Sequence, residues 1–387
     1  MNRIYLDYAA TTPVAPEVFK AMQPYFQDIS GNPSAIYAEG QQARQAVEVS
    51  RNAVAGIINV RADEITFVSG GTEADNMALV GVVQASGKNH PHIITTTIEH
   101  HAVLETCHFL EKQGVAITLL PVDSRGLVDP VDVEKAIRPE TVLVSVILAN
   151  NEIGVIQDLA AISRITRQAG VYLHTDAVQA IGRIPVDTQA LGVDLLSISA
   201  HKLYGPKGVG ALYIRKGTRI SPLLWGGGQE RGKRSGTENV PGIVGLGKAA
   251  ELAVADLTAE ASRLAGLRDR LIARVLEVVP NSRLNGHPTN RLPNNANFSF
   301  DHVEGESVCL NLDLAGIAAS PGSACSSTST SPSHVLTALG LLPHQAFGSL
   351  RLSFGRWTDE AAIDRVLEVL PNVVSRLRAM SPVAHQQ

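Results

Sequence analysis

Several short stretches carry the side chains best suited to chemistry. Lys202 stands in "SAHKLYGPKG", after the apolar run 193–199 and before a glycine-rich turn. Burial disfavours an ammonium, so a lysine placed there becomes an amine nucleophile for Schiff-base formation. Asp176 and Gln179 follow a second apolar run in "HTDAVQ". A carboxylate directly after a buried strand must cap a helix or pair with a cation. "SGGTEADN" puts Gly71 and Thr72 at the start of a helical segment, whose exposed N–H groups and positive dipole end suit an anion. "EHH" brings His100 or His101, and "NNEIG" brings Asn150 and Asn151, to the ends of two further runs. Taken singly, each has an ordinary reading: a solvated lysine, a helix-capping aspartate, a capped turn, a structural histidine. Together they match the needs of pyridoxal 5′-phosphate. Its phosphate takes the anion cradle, its ring nitrogen the carboxylate, its ring face an imidazole and its aldehyde the lysine.

One further residue stands apart. Cys325 lies in "SPGSACSSTSTSP", residues 320–332, with no aliphatic side chain larger than Ala324. That composition predicts a mobile loop. Cys107 and Cys309 read instead as buried small apolar residues.

The elements that must position these groups are legible. The runs 64–71, 91–100, 114–123, 141–151, 170–179, 193–202 and 208–216 read as strands buried on both faces. Helical periodicity covers 72–86, 101–113, 130–138 and 158–169 between them, then roughly 240–279 and 359–378. This alternation predicts an α/β domain with a mostly parallel sheet over residues 16–259. Residues 1–15 and 260–387 are expected to form a smaller α+β domain that carries the Cys325 loop.

Bulk properties exclude other classes. A net charge of −4 without a Lys/Arg cluster argues against nucleic-acid and membrane-surface partners. The apolar runs are too short to span a bilayer, and the first residues lack a signal-peptide core. Three widely spaced cysteines indicate neither a disulfide framework nor a metal knuckle, so a reducing, cytoplasmic setting is expected.

The blocks "YLDYAATTP", "FVSGGTEADN", "TTTIEHHAVL", "ANNEIGVIQD", "HTDAVQAIGRIPVD", "SISAHKLYGPKGVGALYIR", "GGGQERGKRSGTEN", "GSACSS" and "RLSFGR" resemble the cysteine desulfurases of the NifS/IscS type, over about residues 4–375. The resemblance implies the aminotransferase-like fold type I of pyridoxal-phosphate enzymes, a homodimer, and conversion of L-cysteine to L-alanine with a persulfide on Cys325. It further implies that Lys202 forms the imine, Asp176 pairs with the ring nitrogen, and Gln179 bonds the phenolic oxygen. His100 would stack on the ring and move protons. Gly71, Thr72, Ser199 and His201 would bind the phosphate, joined by Thr237 of a second copy. Asn151 and Arg351 would hold the substrate carboxylate, Arg351 through its planar fork. An iron–sulfur scaffold or other acceptor would receive the sulfur. Tyr37 and Pro321 depart from the family pattern; Pro321 could stiffen the entry to the cysteine loop. Selenocysteine lyase, a pyruvate-releasing C–S lyase and a mainly sulfur-relaying protein are the alternatives.

Overall fold

The computed structural model describes residues 3–322 and 332–380. Each apolar run contains a strand, shorter than the run at its ends. These strands are Ile65–Val68, His92–Thr96, Ala116–Leu120, Thr141–Ser145, Tyr172–Asp176, Leu195–Ser199 and Gly210–Ile214. They form one sheet in the spatial order Ile65–Val68, Gly210–Ile214, Leu195–Ser199, Tyr172–Asp176, Thr141–Ser145, His92–Thr96, Ala116–Leu120. Pairing is parallel except on the two sides of Gly210–Ile214, which runs antiparallel to both neighbours. The three middle strands have almost every side chain buried; Thr141–Ser145 and Leu195–Ser199 are accordingly mostly apolar without alternation, whereas Tyr172–Asp176 buries His174, Thr175 and Asp176.

The expected helices follow as Gly71–Ala85, His101–Glu111, Pro130–Ala136 and Leu159–Ala169. The last is bounded by Asp158, whose side chain accepts from the Ala161 N–H, and by Gly170 at φ 67°. Helices Pro16–Met22 and Ala38–Ile57 were not legible in the sequence. The buried stripe of the second consists mainly of Ala43, Ala46, Val47, Val54 and Ala55, side chains too short to give a strong periodic signal.

A second, antiparallel sheet joins Ser349–Ser353, Asn295–Phe300 and Ser282–Leu284. The helix Glu360–Met380 is packed into the core on this sheet through Ile363, Val366, Leu370 and Val374. The helix Val240–Val278 serves both cores. Val240, Ile243 and Leu246 pack with the large sheet, whereas Leu264, Leu267 and Leu271 pack with the small one. Position 259/260, the expected division, falls inside this helix. Cys107 is buried as expected, but Cys309 is only partly so, at the edge of the second core.

A buried ion pair ties the segment around Glu230 to the large sheet. Arg51 Nη1 and Nη2 donate to Glu230 Oε2 and Oε1 at 2.7 and 2.8 Å, and the Phe67 N–H donates to Oε2 at 2.9 Å. The guanidinium lies 4.7 Å from the Phe67 ring centre. Glu230→Ala would leave Arg51 with only the half-exposed Glu48 carboxylate, 3.1 Å from Nε, as a charged partner, and the Phe67 N–H without its acceptor. Urea denaturation should show a loss of about 3–5 kcal/mol.

Candidate active site

The carboxyl ends of the parallel strands open into one cavity of about 390 Å³. Apart from Asn150, Thr237 and Cys325, every site residue expected from the sequence lines it; Asn150 is fully buried and bonds only backbone groups among the described residues. Thr237 is exposed in a different cleft, beside Glu238 and Asn239. Cys325 lies outside the described residues.

The floor is built by strand ends and helix starts. The helix Gly71–Ala85 begins with no side-chain cap, so the N–H groups of its first turn remain available at the cavity wall. A Cβ on Gly71 would meet Val178 Cγ2 at 2.9 Å; glycine keeps this approach open. Ser199 ends its strand beside this turn, and His201 follows it, its Nδ1 3.1 Å from Thr11 Oγ1. Burial, with help from Lys202 and Lys207, lowers His201 to about 4, so the ring is neutral. Glycine, hydroxyls, a neutral imidazole and a helix dipole form the expected anion cradle.

Lys202 Nζ donates to the carbonyl oxygens of Ala9 and Ala10, both at 2.6 Å. Gln179 Nε2 donates to the same Ala9 oxygen at 2.8 Å. Thr12 pins the strap that provides these acceptors, because its hydroxyl donates to the His201 carbonyl and accepts from the Tyr204 N–H. This N-terminal crossing was not foreseen.

Asp176 is buried at its strand end and accepts from the Val178 N–H at 2.9 Å. Burial raises its carboxyl above the usual range, against the Val178 N–H and Lys202, which lower it. Asp75 lies beside it, with one atom from each of Asp75, His100 and Asp176 within 4.8 Å of the others. Asp75 Oδ1 is buried without a hydrogen-bond partner among the described residues. Burial, then the charge of Asp176, pushes the Asp75 carboxyl well up. A protonated ring nitrogen would supply the cation this acidic corner calls for, so the donor set fits pyridoxal phosphate. Asp75 had no role in the sequence reading. Its signal was its position three residues after Thr72, on the same helical face.

His100 caps the helix His101–Glu111, with Nδ1 accepting from the Ala102 N–H at 3.1 Å. Burial and the Lys202 charge lower it to about 4. The ring is therefore neutral and carries its proton on Nε2. Asn151 and Arg351 meet at the opposite wall: Arg351 Nη1 donates to the Asn151 carbonyl at 2.9 Å. The planar fork of Arg351 is partly occupied, since Nη2 is bonded to Asp7 Oδ1 at 2.8 Å.

Behind this wall Glu99 is fully buried, accepting from Thr96 Oγ1 and the Ile147 N–H. Burial pushes it up to about 8. Its folded value exceeds its unfolded one, so the native state holds the extra proton and stability falls as pH rises from about 4.5 to 8. Glu99→Gln keeps the acceptor and removes the titration. Its unfolding free energy relative to the parent, measured by urea denaturation across that window, should climb by about 1.4 kcal/mol for each pH unit.

Residues 4–366 match the model of the aminotransferase class-V family, and the chain belongs to it. A cysteine desulfurase IscS from Dictyoglomus turgidum is 54% identical over 381 residues, covering 98% of this chain and 97% of its own. Another cysteine desulfurase IscS, from Methanosarcina thermophila, is 53% identical over 385 residues, with 99% and 95% covered. Among solved structures, a NifS-like protein superposes with a TM-score of 0.91 at 39% identity, covering 97% of this chain and 100% of that one. No helix among the described residues is long and apolar enough to cross a membrane.

Proposed function

We propose that the chain is a pyridoxal-phosphate-dependent cysteine desulfurase, converting L-cysteine and the Cys325 thiol to L-alanine and a Cys325 persulfide. The observation that carries this reading is one cavity uniting the Lys202 amine, the Asp176 carboxyl, the Gly71–Thr72 cradle and the Arg351 cation. The relatives named above support it.

The cofactor, when bound, supplies an electron sink that makes the substrate Cα–H acidic. The first turn of the helix Gly71–Ala85, Ser199 and His201 would hold the phosphate, Asp176 would keep the ring nitrogen charged, and Gln179 would bond the phenolic oxygen. Lys202 would anchor the cofactor through its amine and take the substrate Cα proton. Neutral His100 would lie against the ring and present Nε2–H to the substrate thiol. Arg351 and Asn151 fix the substrate carboxylate, which points the side chain toward the cavity mouth. The Cys325 thiolate attacks the substrate sulfur, the C–S bond breaks, and the three-carbon product takes up a proton and leaves as alanine.

Thr237 is exposed in a separate cleft, where it can serve the phosphate site of a second copy in a homodimer. The persulfide then passes to an acceptor protein such as an iron–sulfur scaffold, in a compartment reducing enough to keep Cys325 a thiol. Incubation of the cofactor-loaded protein with L-cysteine and a thiol reductant should yield alanine and sulfide in equal amounts. Pyruvate in place of alanine would make the protein a C–S lyase, and a much faster reaction with selenocysteine would make it a selenocysteine lyase.

A further inference from the structure

Arg351 lies on the strand Ser349–Ser353 and is 2% exposed. Two of its three nitrogens are committed: Nη1 to the Asn151 carbonyl, and Nη2 to Asp7 Oδ1 at 2.8 Å. Nε is buried and has no hydrogen-bond partner among the described residues. Nε and Nη2 form one edge of the guanidinium, an edge that can grip a carboxylate with two parallel bonds. One donor of that edge awaits an acceptor, and Asp7 sits on the other.

The backbone under Asp7 is held tightly. Asp7 bridges Ser353 in parallel register, the Ser353 N–H donates to the Leu6 carbonyl at 2.8 Å, and the Ala9 N–H donates to Ser353 Oγ at 2.8 Å. Movement is therefore confined to the Asp7 side chain, which is 18% exposed. A buried guanidinium is costly without an anion, and Asp7 provides one from within the chain. A ligand carboxylate must then share Arg351 with Asp7 or displace it, so the ligand's affinity reflects a difference between two carboxylates on one cation.

We propose that Asp7 is an internal stand-in for the substrate carboxylate, and that its release from Arg351 Nη2 sets the affinity and selectivity for amino-acid ligands. This rests on the reading that Arg351 receives that carboxylate. The device rejects amines that lack a carboxylate, because they cannot take over the cation. It also lowers the affinity for those that have one.

The test uses cofactor-loaded protein and L-alanine, which has the carboxylate and amine of the substrate but no thiol. Asp7→Asn should tighten alanine binding in calorimetry, and lower the KM for L-cysteine, by about fivefold to tenfold with kcat changed less than about twofold. Its melting temperature should be lower than the parent's without alanine and should rise more when alanine is added. Asp7→Glu, which keeps the charge, should show no such gain. Asp7→Ser gives the same reading as Asp7→Asn if the asparagine variant does not fold. Weaker or unchanged alanine binding in the neutral variants would overturn the proposal, as would an equal gain in Asp7→Glu. Arg351→Ala separates the two levels. If it binds alanine as the parent does, the carboxylate assignment has failed; if it loses alanine while Asp7→Asn gains nothing, only the role of Asp7 has failed.

Discussion

Replacing Cys325 with serine should abolish sulfur release from L-cysteine, with turnover falling by about a thousandfold or more. The serine hydroxyl is almost never ionised near neutral pH and cannot accept sulfur as a persulfide. Neither remaining cysteine can substitute. Cys107 is fully buried in the core, and burial pushes its thiol up to about 12. Burial likewise pushes Cys309 up to about 12, with the Asp7 charge adding to the shift. Neither supplies thiolate at neutral pH. The groups that bind the cofactor are untouched by the change, so the imine absorbance should match that of the parent. The measurement pairs an alanine assay with an absorbance spectrum. Half of the parent's turnover in Cys325→Ser would end the assignment.

Lys202→Ala should have a comparable effect on turnover, about 10⁴-fold or more, for a different reason. On the proposed reading it removes the amine that forms the imine and the base that takes the Cα proton. It also removes the positive charge that holds the Asp176 carboxyl down against burial. Asp176 should then protonate more readily, which weakens its hold on the ring nitrogen. The Ala9 and Ala10 carbonyls lose the ammonium between them. The purified variant should therefore lack the imine band and retain less cofactor on dialysis. A spectrum indistinguishable from the parent's would refute the role of Lys202. Circular dichroism separates this from unfolding, because the hydrophobic cores do not include the lysine.

The sequence by itself determined which residues end the parallel strands. Strands buried on both faces are mostly apolar, so the polar cluster that closes each run marks the carboxyl edge, where an open α/β sheet binds ligands. Asp176 and Lys202 were legible for that reason, as were the pairs His100/His101 and Asn150/Asn151. Gly71 and Thr72 were legible because a helix start after a strand has a local signature. The resemblance to a known family added Ser199, His201, Arg351 and Thr237, which the residue pattern alone did not select.

Only the tertiary structure decided what those residues touch. Asp7 and Arg351 are 344 positions apart in the chain, and no local pattern encodes their pairing. The crossing of residues 7–12 under Lys202, Gln179 and His201 comes from hydrogen bonds to backbone carbonyls, which any residue type could offer. Asp75 is one polar residue in a helix; its pressure on Asp176 arises only when packing brings two carboxyls together and excludes water. The division expected at 259/260 falls within the helix Val240–Val278, which passes from the large-sheet core to the small one without breaking its own hydrogen bonds. Local sequence records burial and backbone periodicity, whereas charge pairing and shared acceptors depend on which distant segments meet.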